Sequence, residues 1–315
     1  HHASPSMRDG SLDLIETAVR KAGIRASLCY EVSDRNIPKG GAAENERFIN
    51  KIGKGDGQIA AMMGLHASFT LSDATIEQCA GFSKDAGVGC HIHVAEDAAD
   101  REDSLAKYNL PTVKRLDKRG LTGEKSIFVH CVHIDDSEMD ILAATKTAVV
   151  HNPESNMNNA VGVTPLLKLL KKGVLVGLGT DGMGSDMLAQ MRCAYLLHRL
   201  SNHDPRVAFL EAPQLLLKNN AEIAERQFGV KLGQISDGLP ADLAIIDYQP
   251  PTPLSEDNFL GHLIFGLVDA TVDTTICKGK ILMKDKKILS IDEERVAARS
   301  RELAPKMWRR LQELQ

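Results

Sequence analysis

Gly87-Val-Gly-Cys-His-Ile-His93-Val-Ala-Glu96 is a short apolar run that ends in polar chemistry. It reads as a buried strand meeting its following loop, with His93 and Glu96 three residues apart across the junction. An imidazole at a strand end can hold a metal, and a carboxylate a few residues on can reach a metal-bound water. A single histidine in such a place is usually a packing residue. Three further segments of the same form change the reading: His130-Cys-Val-His133 after an apolar run, His151-Asn-Pro153-Glu-Ser-Asn156 after another, and Gly179-Thr-Asp181-Gly after a third. Upstream, the run Ile59 to Leu65 ends at His66-Ala-Ser68.

Between these strand ends lie amphipathic segments, each long enough for one helix: Leu71 to Phe82, a stretch ending near Arg119, Thr164 to Lys172, and one ending near Ser201. Before them, Ser11 to Ala22 and Glu44 to Ile52 read as helices, Ile24 to Cys29 as a strand, and Glu31 to Asn45 as a loop broken at Gly40-Gly41. A parallel α/β barrel of the (β/α)8 type puts every strand C-terminus on one rim, where such enzymes carry their sites. An open parallel sheet concentrates its ligand at one switch point instead. Five polar strand ends favour the barrel.

The pattern changes after residue 205. Ala212 to Phe228 is helical; residues 233–291 read as a small β appendage, and residues 292–315 as a closing amphipathic helix with Met307, Trp308 and Leu311 on its apolar side. Residues 1–232 are then the barrel.

The chain has 315 residues and a net charge of −4, without a long basic block, which argues against nucleic acid or an anionic membrane as partner. No apolar run reaches the ~18 residues of a membrane span. The six cysteines lack CxxC spacing and read as reduced thiols of a cytoplasmic protein.

A hydrolytic metal site needs imidazole and carboxylate ligands, an open position for water and a proton shuttle. His93 and Asp181 can be ligands to one divalent ion, while Glu96 and His130 can move protons. Thr180 and Ser185 flank Asp181 and could orient it or the substrate. A His/Asp set suits zinc first, with iron as the alternative. The other reading of Asp181 is an N-cap of the following helix, and that of His66 a core histidine bonded to backbone.

Taken in order, these motifs resemble the amidohydrolase superfamily, and more narrowly its aminohydrolase/chlorohydrolase branch of nucleobase and adenosyl-thioether deaminases and triazine hydrolases. The opening His-His-Ala-Ser-Pro and the Gly-Thr-Asp-Gly-Met segment are most similar to the SsnA-like subgroup of that branch. The resemblance covers essentially the whole chain. It implies a metal-dependent barrel with a small β-sandwich, His93 and Asp181 as metal ligands, Glu96 as proton shuttle to a substrate nitrogen, and His130 as the non-ligand histidine that polarises water. It also implies substrate contacts at His66, Glu96 and Ser185. His133 and His151 are read as structural.

One departure stands out. The family's first strand ends in His-x-His, which supplies two more ligands; here His91-Ile-His93 lies on the HxxE strand, and His1-His2 falls where the family's second strand ends. The chain is therefore expected to lack the first barrel strand and part of the sandwich, with metal binding and activity weakened or lost, and with His1 or His91 as candidate substitutes. The expected activity of the complete protein is hydrolytic deamination of a purine-like or related heterocycle. The alternatives are dechlorination, cyclic-amide opening, or a metal-free barrel that only binds a ligand. The expected partner is a small-molecule substrate, and a homodimer is left open.

Overall fold

The computed structural model describes residues 1–4, 7–35 and 41–313; Gly40 of the expected loop breaker and Leu314 of the last helix lie outside them. β1 (Ala26–Leu28) pairs in parallel with β2 (Ile59–Ala61). Past Met62 the chain continues as β3 (Met63–Ala67), which opens a five-stranded parallel sheet. The sheet runs on through β4 (Cys90–Val94), β5 (Ile127–His130), β6 (Ala148–His151) and β7 (Val176–Leu178), each beside the next in chain order. A parallel bridge from Val32 to Leu65 ties the continuation of β1 to β3, and another from His2 to Tyr30 sets the first residues alongside.

Strictly sequential order, with helices between the strands, is the arc of a (β/α)8 barrel; a doubly wound sheet would reverse its order at a switch point. The burial pattern agrees. All four residues of β5 are buried, as in a sheet covered on both faces. In β4 Cys90, Ile92 and Val94 are fully buried, whereas the alternate His91 and His93 share the other face, their rings 6.1 Å apart.

Several local expectations need correction. The stretch ending near Arg119 is two helices, Ala98–Tyr108 and Thr112–Lys118, because Pro111 cannot continue the first. The expected loop from Glu31 already carries the Val32 bridge, and the next helix starts at Ala42. Asp181 does not cap the helix Met187–Asn202; Asp186 does, accepting from the Leu188 and Ala189 amides at 3.0 Å each.

The C-terminal part is a four-stranded antiparallel sheet of β8 (Leu243–Asp247), β9 (Thr271–Cys277), β10 (Lys280–Lys284) and β11 (Lys287–Ile288). Arg25, just before β1, holds Asp242 with two parallel hydrogen bonds of 2.8 Å. The helix Glu293–Gln312 has no buried residue, and Met307 and Trp308 are each 55% exposed, so its apolar side faces solvent. Among the described residues no helix is long and apolar enough to cross a membrane.

Candidate active site

Three of the strand ends that carry the motifs share an uncommon backbone feature. Ala95, His130, Cys131 and Asp181 all have positive φ, at 46°, 71°, 51° and 51°. Left-handed geometry at non-glycine residues costs roughly 1–3 kcal/mol each and is characteristic of functional sites. Here it lies at the ends of β4, β5 and β7 and aims their last side chains together. Gly179 permits the third turn: a Cβ there would lie 2.6 Å from Val150 Cγ1 and against the Asn152 side-chain oxygen.

Glu96, His130 and Asp181 converge, each offering a ligand-type atom within 4.8 Å of the others. His130 Nε2 is 3.5 Å from Glu96 and 3.8 Å from Asp181, and it is buried without a hydrogen-bond partner. The network assigns its tautomer. Thr164 donates its hydroxyl proton to the His130 carbonyl at 2.8 Å, so it accepts from Asn156 Nδ2 at 3.3 Å. Asn156 Oδ1 then faces His130 Nδ1 at 2.8 Å, and Nδ1 must donate. Nε2 is left facing the two carboxylates.

Each carboxylate has its own support. Asn159 donates to Glu96 at 3.0 Å, and Ser155 donates to Asp181 at 2.5 Å. Burial alone would raise the Asp181 carboxyl; the hydrogen bond from the Ser155 hydroxyl leads the influences that outweigh it and hold it below its ordinary range. His93 lies 5.4 Å from His130, ring to ring. Burial, then the neighbouring His130, push His93 down to about 4, which leaves it neutral and able to donate a lone pair.

His66 stands 6.2 Å from the His93 ring and is lowered by burial and by Arg35. Its Nδ1 lies 3.1 Å from the Thr70 hydroxyl, which itself donates to the Ala67 carbonyl, so Nδ1 donates and Nε2 is the free acceptor. Ser185 is exposed in the loop after Asp181 and makes no side-chain hydrogen bond among the described residues. His133 holds the Val161 carbonyl at 2.7 Å, and His151 is buried against His198 at 3.1 Å.

Sequence reasoning missed the supporting residues. Ser155 and Asn156 lie inside a quoted motif, but only the fold shows that they meet Asp181 and His130. Asp100 was one acidic residue in a run; it is buried, and it accepts from the amides of Ala95 at 2.7 Å and Phe69 at 2.9 Å, joining the Glu96 turn to the segment after His66. Glu31, beside His93 and His1, carried no signal at all.

The donor types fit a divalent ion: a neutral buried imidazole at His93 and an ionised carboxylate at Asp181. The chain is 34% identical over 312 residues to a 5-methylthioadenosine/S-adenosylhomocysteine deaminase of Pelotomaculum thermopropionicum, covering 95% of this chain and 70% of that one. It is 33% identical over 308 residues to a 5'-deoxyadenosine deaminase of Methanosarcina mazei, covering 95% and 71%. Its fold matches that of a Xanthomonas campestris adenosine deaminase with bound zinc, with a TM-score of 0.83 at 23% identity over 94% of this chain and 69% of the other. An Arthrobacter aurescens atrazine chlorohydrolase complexed with zinc gives 0.80 at 21% identity over 96% and 70%. Residues 2–282 match the Amidohydrolase family, and with the strand order and the site they place the chain as a member of that family.

Proposed function

We propose that this chain is a metal-dependent aminohydrolase that replaces the exocyclic amino group of a purine-like heterocycle with oxygen, releasing ammonia. The observation that carries this reading is the convergence of Glu96, His130 and Asp181 at the ends of β4, β5 and β7, with Nε2 of His130 facing the two carboxylates. The deaminase names of the relatives support the choice of an adenosine-type substrate.

His93 and Asp181 would hold the ion, zinc in this reading. A bound divalent ion lowers the pKa of a water molecule toward neutrality and so supplies the nucleophile. His130 and Asp181 would accept the proton that water gives up as it attacks the ring carbon. Glu96 would carry a proton to the ring nitrogen beside that carbon, and then to the departing amine, which leaves as ammonia. The reaction consumes one water and forms one carbon–oxygen bond for the carbon–nitrogen bond broken. His66 and Ser185 are assigned to substrate contact, with the free His66 Nε2 as a hydrogen-bond acceptor.

Residues 1–232 form the catalytic unit in this reading, 233–291 the small β unit and 292–315 the terminal helix. All six cysteines are free thiols, which supports a cytoplasmic setting. The test is metal content per folded chain, together with ammonia release from 5'-substituted adenosines. Ammonia release that depends on zinc is the expected result. Chloride release from a halogenated ring without deamination, or ligand binding with no turnover, sinks the reading.

A further inference from the structure

We propose that His1, Glu31 and His93 form a metal-ligating set on the β1 side of the pocket, so that His1 and Glu31 donate to the ion alongside His93. This inference rests on the metal-dependent function proposed above and names donors that reading does not contain.

The three side chains each offer a donor atom, and the atoms lie within 4.8 Å of one another. The backbone fixes this proximity. The His2 amide donates to the Cys29 carbonyl at 2.9 Å and the Glu31 amide donates to the His2 carbonyl at 2.8 Å, so His1 and Glu31 flank one parallel bridge. His93 comes from β4 across the pocket, its ring 5.1 Å from that of His1.

A second observation is the environment of Glu31. Its side chain is half-buried, yet among the described residues it makes neither a hydrogen bond nor an ion pair. A carboxylate withdrawn from water needs a partner, and the groups beside it are the His1 and His93 imidazoles and the amino group of His1. On the same side, His91 Nδ1 is buried without a hydrogen-bond partner, and the His91 ring is 4.7 Å from His1.

Cys29 and His91 form another possible triplet with His1. The Cys29 thiol is only 3% exposed, whereas Glu31 is open enough to meet an ion arriving from solvent. Two imidazoles and one carboxylate are also the donor types of catalytic zinc sites. His93 then stands between two groups of ligand-type residues, with Glu96, His130 and Asp181 on its other side.

The experiment is titration of the full chain with zinc, and separately with cobalt, in the wild type and in Glu31→Gln, His1→Ala and Asp181→Asn. Stoichiometry is read by mass spectrometry, affinity by calorimetry and the ligand field by cobalt absorption. Circular dichroism verifies folding. Glu31→Gln and His1→Ala are each expected to weaken binding by about tenfold or more and to change the cobalt spectrum. Wild-type affinity and an unaltered spectrum in both, with loss of metal only in Asp181→Asn, overturn the inference and leave the functional reading intact. Loss in Glu31→Gln and His1→Ala with full binding in Asp181→Asn supports the inference and removes Asp181 from the ligand set. A wild type that binds no metal overturns both.

Discussion

His130 Nε2 stands 3.5 Å from the Glu96 carboxylate, shut off from solvent and without a hydrogen-bond partner. A buried nitrogen left in that state costs roughly 1–3 kcal/mol. The fold sustains it by bonding the opposite nitrogen, Nδ1, to Asn156. The site is thus organised before any substrate arrives, with an imidazole nitrogen between two carboxyl groups.

Glu96→Gln is expected to reduce kcat by about 10²–10⁴-fold, the usual scale of a lost general acid–base. Gln keeps the shape and can still meet Asn159, so the metal content should match wild type. A rate within a few-fold of wild type at equal metal loading would remove Glu96 from the proton path.

Asn156 is a positioning residue, and its role is separable by pH. Asn156→Asp places a carboxylate 2.8 Å from His130 Nδ1 and favours the imidazolium. The acidic limb of the kcat/KM profile should therefore move to higher pH. Asn156→Ala should lower kcat/KM by about 10–100-fold. An unmoved limb in the Asp variant argues that Asn156 only packs.

Asp100 gives a stability signature. Burial raises its carboxyl to about 6, against the pull of the Ala95 and Phe69 amides. The folded pKa lies above the unfolded value of about 3.9, so the folded state binds the proton more tightly. The contribution is complete below about pH 4 and is lost as pH rises through 6. Urea denaturation should show the stability of wild type relative to Asp100→Asn falling across that window, by on the order of 2–3 kcal/mol. A pH-independent difference between the two proteins contradicts this.

Gly179→Ala tests the turn that delivers Asp181. The added methyl would lie 2.6 Å from Val150 Cγ1 and against Asn152, both parts of the β6 strand end. Overpacking of this kind costs about 1–3 kcal/mol. Both the denaturation midpoint and metal affinity should fall, because the turn and the ligand move together. A variant of wild-type stability with unchanged affinity would show that the turn has slack.

The sequence by itself determined the alternation of strands and helices, the polar ends of the strands, and the identities of His93, Glu96, His130 and Asp181. Those are local properties: a two-residue strand period, an apolar run and its terminating side chain can all be read within one segment. The order β3 to β7 follows from them, since sequential βαβ units place neighbours side by side. Only the tertiary structure decided which residues serve that rim. The tautomer of His130 depends on Thr164 and Asn156, which reach it from another strand's loop. Asp100 acts because Ala95 and Phe69 meet over it. Glu31 and His1 gain meaning only when a parallel bridge brings them beside His93. The helix Glu293–Gln312 shows the limit from the other side: its apolar periodicity was legible, but periodicity does not state what covers the face, and its Trp308 is left 55% exposed. Hydrogen-bond partners and donor sets are fixed by distances across the chain, and a linear pattern carries no record of them.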